Sequence, residues 1–226
     1  MKITYYGHSC FAAEINGTHL LFDPFITQNP LAKTVDIKRI KADYIFVSHG
    51  HYDHITDTAA IADQTGATVI SNFEMTSWLG KNGVKNAQPL NPGGTYSSDF
   101  ARVKCVNAIH SSSMPDGSYG GSAGGFVVES ADANFYYSGD TALTLDMQLI
   151  SQTTKLKFAV LCIGGTLTMD IDDGIRAAGL LQCKDVMGVH YDTFPAIKID
   201  HAAAKEKFQS KVLTLRMLPI GGTAEF

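Results

Sequence analysis

Short apolar runs separated by turn-forming residues divide the first part of the chain into predicted strands. The runs 2–6, 11–15 and 18–22 are rich in β-branched or aromatic residues, which favour strands. An Asn-Gly pair between the second and third runs is a strong signal for a two-residue hairpin turn. The polar and irregular segment 26–42 that follows predicts a surface loop.

Farther along the chain, apolar runs alternate with segments of helical composition. The fully apolar run 44–47 predicts a strand that is buried on both faces. Asp170 or Asp172 is a predicted N-cap of a helix that ends at 181, and Asp200 is the N-cap of a later helix. The other predicted strands are 68–71, 101–108, 125–129, 134–138, 158–163, 186–189 and 212–218, the other helices are 57–64, 73–81, 143–152 and 201–209, and 111–125 is a predicted loop. Because strands are followed twice by strand–helix units, the order predicts a single α/β domain over 1–226, a four-layer αββα sandwich of two mixed β-sheets flanked by helices.

Composition and charge narrow the function classes. The 226 residues are 45% hydrophobic and 18% charged, which is ordinary for a soluble globular protein. A net charge of −4, with scattered basic residues, gives no sign of a partner that is a nucleic acid or an anionic membrane. No apolar stretch approaches the roughly 20 residues that span a bilayer, and no signal-peptide core is visible. The four cysteines form no C-x-x-C pair, which is typical of reduced thiols in a cytoplasmic protein.

The segment Ser48-His-Gly-His-Tyr-Asp-His54 carries the strongest chemical signal. Four metal-competent side chains, His49, His51, Asp53 and His54, lie within six residues directly after a predicted buried strand. His49 and His51 are two residues apart, so in an extended chain their rings point to the same side. Asp53 and His54 lie beyond the turn and can serve a second ion, since paired hydrolytic metals lie about 3.5–4 Å apart.

One loop cannot complete two coordination shells, so further ligands are expected elsewhere. His110, Asp140 and His190 each stand where a predicted strand runs out into a loop. Strand ends at the edge of an α/β sheet are common positions for functional side chains. These three residues are therefore the candidate partners of the histidine segment.

The series HGHYDH, a lone His, SGD and a late His resembles the motif series of the metallo-β-lactamase superfamily. Asp23 in LLFDP matches the first motif of that family, and we expect it to fix the ligand loop by hydrogen bonds. GHSCF, SGDT, TMD at 168–170 and HY-x-TFP resemble a microbial group of small metal-dependent hydrolases related to ascorbate-6-phosphate lactonase. The resemblance covers nearly the whole chain and implies the metallo-β-lactamase type of αββα fold.

The resemblance also implies the role of each ligand. His49, His51 and His110 would hold a first metal, Asp53, His54 and His190 a second, and Asp140 would bridge the two. The expected cofactors are two divalent ions, with zinc first and manganese, iron or nickel as alternatives. Three further roles are expected: Asp53 orients the nucleophile, His8 in the Gly-His-Ser turn touches substrate or orients a ligand, and Tyr191 stabilises an oxyanion or packs behind the ligands.

The predicted activity is hydrolysis of an ester, lactone or phosphoester of a small molecule by a hydroxide shared between the two ions. One alternative is a mononuclear ferrous enzyme that uses His49, His51, His110 or Asp140 to oxidise a sulfur substrate. Another is a metal-binding protein without catalysis. A homo-oligomer is compatible with the resemblance.

Overall fold

The computed structural model describes residues 1–226 and contains two seven-stranded β-sheets. The strands are β1 Lys2–Gly7, β2 Cys10–Ile15, β3 Thr18–Phe22, β4 Tyr44–Phe46, β5 Thr68–Ser71, β6 Ala87–Pro89, β7 Thr95–Ser97, β8 Arg102–Asn107, β9 Gly124–Glu129, β10 Phe135–Tyr137, β11 Phe158–Cys162, β12 Asp185–Val189, β13 Thr214–Arg216 and β14 Thr223–Glu225. The α-helices are α1 Tyr52–Ile55, α2 Thr58–Thr65, α3 Phe73–Lys81, α4 Asp146–Thr153, α5 Ile171–Leu180 and α6 His201–Ser210. Short 3-10 turns occupy Ile37–Arg39 and Pro195–Ile197.

Both sheets are mixed. The first has the order β14-β1-β2-β3-β4-β5-β6, and the second has the order β13-β12-β11-β10-β9-β8-β7. The strands from β3 to β6 pair in parallel, as do those from β10 to β13, while the remaining pairs are antiparallel. Parallel pairing brings successive carboxyl ends to one edge, which is where the ligand-bearing loops begin.

Three apolar clusters separate the four layers. The central cluster of 22 buried residues takes side chains from both sheets, with Phe22 stacked between Phe11 and Phe46 at centroid distances of 4.5 and 5.1 Å. A cluster of 17 residues packs α2 and α3 on the outside of the first sheet. A cluster of 19 residues packs α4, α5 and α6 on the outside of the second sheet. The predicted αββα sandwich of two mixed sheets is therefore confirmed.

Most predicted elements lie within a few residues of their observed positions, and the larger differences concern short elements, among them α1, which the sequence pattern missed. The strand predicted over 212–218 shrinks to β13, and β14 follows it and pairs antiparallel with β1. The helix predicted from 143 begins at Asp146. The sequence pattern missed β6 and β7, which are three residues long and largely exposed, so no apolar alternation marks them. Of the two proposed caps, Asp170 is the one that accepts from the helix, at Asp173 N.

Candidate metal centre

The loops that follow four strands carry the seven predicted ligands. His49 and His51 follow β4, and α1 supplies Asp53 and His54 in the next turn. The other three follow β8, β10 and β12 and are His110, Asp140 and His190. The structure brings all seven together, although His49 and His190 are 141 positions apart in the chain.

Three histidines form one possible ligand set. His49, His51 and His110 each offer a ring nitrogen, and these atoms lie within 4.8 Å of one another. The closest pair is His49 Nε2 and His51 Nδ1, at 2.9 Å. We call this set the three-histidine cluster.

A second set lies beside it and contains a carboxylate. Asp53, His54 and His190, together with His8, offer ligand atoms within 4.8 Å of one another. His8 is the member that the expected ligand list does not contain. We call this set the Asp53 cluster.

Asp140 stands between the two clusters. Its Oδ2 atom lies 2.8 Å from His190 Nε2 and 3.3 Å from His54 Nε2, both in the Asp53 cluster. The same oxygen lies 3.7 Å from His110 Nε2 and 4.0 Å from His49 Nε2, in the three-histidine cluster. One carboxylate oxygen therefore faces donor atoms of both sets, which is the position expected of a bridging ligand.

The donor set fits divalent cations. Imidazole nitrogens and carboxylate oxygens bind zinc at about 2.0–2.2 Å, which places neighbouring ligand atoms roughly 3 Å or more apart. The separations around Asp140 Oδ2 begin at 2.8 Å and extend to 4.0 Å. His54 Nε2 and Asp140 Oδ1 are buried without a hydrogen-bond partner, which is costly unless another species engages them.

Asp23 holds the outer edge of this donor set. Its buried carboxylate accepts from Ser48 N at 2.7 Å, Ser48 Oγ at 2.6 Å and His54 Nδ1 at 2.7 Å, and from the Tyr137 hydroxyl. Because the Ser48 hydroxyl donates to Asp23, it is left to accept from His49 Nδ1, 3.0 Å away. This network assigns the proton to Nδ1 in both histidines, so that each Nε2 faces the centre. These are the hydrogen bonds by which Asp23 was expected to fix the ligand loop.

His8 supports the Asp53 cluster in a similar way. Its Nε2 lies 3.0 Å from Asp53 Oδ2, and its Nδ1 lies 2.9 Å from Thr193 Oγ1. Its carbonyl oxygen accepts from His190 N at 2.8 Å. With 1% of its surface exposed, His8 lies behind the ligands, so the structure favours the orienting role over contact with substrate.

The direction of each histidine pKa shift depends on whether burial or a neighbouring carboxylate dominates. Burial, followed by the neighbouring His54, lowers the pKa of His49, and burial also lowers the pKa values of His51 and His110. Burial alone would lower the pKa of His54 too, but the carboxylates of Asp140 and Asp23 outweigh it and raise that pKa well above the usual range. The three-histidine cluster thus presents neutral ligands, and the space between the two carboxylates favours positive charge.

Backbone conformation at the site departs from the common regions. His8, Asp23 and His190 have positive φ angles of 55°, 41° and 58°, which side-chain-bearing residues rarely adopt. Gly139 has φ 57°, and a Cβ there would lie 2.6 Å from Gly124 O. The glycine of SGD is therefore required by the close approach of β9.

A cleft of about 840 Å³ opens over the two clusters. Asp53, His110 and Asp140 lie at its floor, and the loop 111–117 forms one wall. A hydrogen bond from Trp78 Nε1 to Asp116 Oδ2, at 2.7 Å, attaches that loop to α3. Tyr191 does not line the cleft: its ring is 6% exposed and packs on Tyr5, so the structure gives no support to the expected oxyanion role.

Comparison with known proteins agrees with this architecture. The family model described as the beta-lactamase superfamily domain matches residues 2–190. This chain belongs to the metallo-β-lactamase superfamily. A UPF0173 metal-dependent hydrolase of Methylacidiphilum infernorum is 54% identical over 97% of each chain, and one of Flavobacterium johnsoniae is 50% identical over all of both. Igni18, a novel metallo hydrolase from the archaeon Ignicoccus hospitalis, has a TM-score of 0.89 at 35% identity and covers 100% of this chain and 98% of its own.

The family resemblance is thus confirmed, and the chain is a metal-dependent hydrolase with a His/Asp cluster able to bind metal. None of its helices has the length and apolarity required to cross a membrane. Sequence reasoning missed Ser48 and Tyr137 as supports of Asp23. Ser48 stands next to His49 at the strand end, which is a signal, whereas Tyr137 is 114 positions from Asp23 and has none.

Proposed function

We propose that this metallo-β-lactamase superfamily member hydrolyses an ester, lactone or phosphoester of a small molecule with two divalent ions. The observation that carries the proposal is Asp140 Oδ2, which lies within 4.0 Å of imidazole nitrogens from both clusters. A single ion would leave one of the two donor sets unused. Two ions use both and account for the partnerless atoms of His54 and Asp140.

The proposed first ligand set is the three-histidine cluster, and the second set is Asp53, His54 and His190, with Asp140 shared. When bound, such ions lower the pKa of coordinated water from 15.7 to about 7 and polarise the bond to be cleaved. Imidazole and carboxylate ligands suit zinc, with manganese, iron or nickel as alternatives.

Asp53 is the proposed proton carrier. His8 engages only Oδ2 of this residue, so Oδ1 receives no hydrogen bond from the protein. The pKa of Asp53 is lowered because His54 and His8 outweigh the effect of burial, so the carboxylate is ionised and would hold a proton only transiently. It lines the cleft beside the ligands, where it can pass that proton to a leaving group.

The test combines elemental analysis with turnover of generic esters and phosphodiesters by the metal-reconstituted protein. We expect two zinc or manganese ions per chain, and His51→Ala should lose one of them together with at least 100-fold in kcat/KM. His19→Ala is the matched control, because that histidine lies in β3 and its side chain makes no hydrogen bond. One iron per chain with oxygen-dependent turnover would favour the oxidative alternative, and full activity of His51→Ala would refute the proposal.

A further inference from the structure

The walls of the cleft differ chemically from its floor. Above the ligands, the walls carry five large apolar or aromatic residues: Tyr52, Met114, Pro115, Leu167 and Phe194. None of the 13 residues that line the cleft is a lysine or an arginine. The only charged side chains there are Asp53 and Asp140, which belong to the ligand set.

The hydroxyl groups near the cleft do not replace lysine or arginine as partners for an anionic group. Ser112 Oγ is engaged, because it accepts from Gly50 N at 3.1 Å and donates to Gly120 O at 2.9 Å. Ser111 Oγ lies 3.4 Å from His51 Nε2 and so belongs to the ligand surroundings. Ser113 and the Tyr52 phenol are the remaining hydroxyl groups of the lining, and two neutral donors are a weak site for a phosphate or carboxylate group.

The apolar residues at the rim are held in exposed positions. Tyr52 is 48% exposed and Leu167 is 54% exposed. Leu167 follows Thr166, whose φ is 53°, and Thr166 Oγ1 fixes this turn by donating to Ala196 O at 2.9 Å. A strained and anchored turn that presents a leucine to a cleft is typical of a binding surface.

We infer that the part of the substrate outside the reacting group is uncharged and apolar, so that the substrate class is a carboxylic ester or lactone with an apolar acyl or ring portion. The inference rests on the proposed function and narrows it by excluding phosphorylated substrates. Water adds its oxygen to the acyl carbon, the acyl C–O bond breaks, and one water proton passes through Asp53 to the leaving alkoxide. The products are a carboxylic acid and an alcohol, or a hydroxy acid from a lactone.

The test is a matched pair of substrates with the metal-reconstituted full chain. 4-Nitrophenyl pentanoate and the 4-nitrophenyl half-ester of glutaric acid have acyl chains of equal length, and only the second ends in a carboxylate. We expect kcat/KM to be at least tenfold higher for the pentanoate, and 4-nitrophenyl phosphate to be slower still. Leu167→Lys should reduce the pentanoate preference at least fivefold, Leu167→Gln should reduce it less, and Leu149→Lys on α4, outside the cleft, should leave it unchanged.

A binding measurement separates failure of this inference from failure of the proposed function. Calorimetry of pentanoate and glutarate with the zinc-loaded protein should show tighter binding of pentanoate, and Leu167→Lys should reverse the order. Faster turnover of the half-ester or the phosphate, or tighter binding of glutarate by the unmodified chain, overturns the inference and leaves hydrolysis standing. No turnover of any ester, with pentanoate still bound more tightly, overturns the proposed function and supports the apolar cleft.

Discussion

Replacing Asp23 with asparagine tests whether one buried carboxylate orients both ligand clusters. Asp23 accepts four hydrogen bonds and is fully buried. Asparagine has the same shape but only one acceptor oxygen. If that oxygen takes the place of Oδ2 and keeps three donors, the amide group faces Ser48 N, which is itself a donor at 2.7 Å from Oδ1.

The cost follows from these contacts. A buried donor left unpaired costs about 1–3 kcal/mol, and three bonds that lose their charge lose about 1 kcal/mol each. The sum is about 4–6 kcal/mol of unfolding free energy. Since His54 Nδ1 and Ser48 Oγ would then donate to a neutral oxygen, the proton on Nδ1 of His54 and of His49 is held less firmly, and zinc affinity should also fall about 10- to 100-fold.

Urea denaturation of the metal-free protein measures the loss of unfolding free energy, and zinc titration calorimetry measures the loss of zinc affinity. Tyr137→Phe is the matched control, because it removes one donor and leaves the carboxylate with three. That variant should lose about 1–2 kcal/mol and keep its zinc affinity. An Asp23→Asn protein within about 1 kcal/mol of the unmodified chain, with zinc affinity unchanged within twofold, would refute the reasoning.

Three further predictions concern other parts of the molecule. Gly139→Ala should lose more than about 2 kcal/mol in urea denaturation, because the new Cβ meets Gly124 O, whereas Gly66→Ala, with φ 75° but open space around it, should lose about 1 kcal/mol. Chelation should abolish turnover and lower the melting temperature, and zinc should restore both; an equally stable and active metal-free protein would contradict this. Hydrogen bonds from Ser118 and Trp78 lower the pKa of Asp116 to about 2, so this loop contact should persist above the ordinary pKa of about 4 and weaken as pH falls through 2. Fluorescence of Trp78, the only tryptophan, should report that change, and Asp116→Asn should remove it.

The sequence allowed the candidate ligands to be located because they stand in segments that follow predicted strands. His110 follows β8, Asp140 follows β10 and His190 follows β12, so the end of the run locates the side chain at the sheet edge. The two mixed sheets could likewise be predicted, from the order of apolar runs and helical segments along the chain. The prediction failed for β6, β7 and β14, since three-residue strands on the edges of the sheets depend on pairing with distant partners and carry no periodic signal of their own.

The hydrogen bond that Tyr137 donates to Asp23 could not be predicted either, because it joins residues that are distant in sequence. The Tyr137 hydroxyl meets Asp23 across the interface between the two sheets, and the residues are 114 positions apart. Tyr191 shows the opposite error: it is adjacent to His190 in the chain, but its side chain turns into the core against Tyr5. Adjacency to a ligand in sequence does not place a side chain in a cleft, because successive residues point in different directions.

Two carboxylates on opposite sides of the imidazoles explain why the centre calls for cations. Asp23, directly for His54 and through Ser48 for His49, takes up the N–H side of these rings, so their Nε2 atoms face inward. Asp140 then adds a negative oxygen to the same space, in which the cleft lining supplies neither lysine nor arginine. Imidazole lone pairs and carboxylates that are gathered in one space repel one another unless a proton or a cation lies between them. A bound cation would relieve that repulsion, whereas in a protein in which Asp23 no longer fixes the rings we expect the imidazoles to turn away.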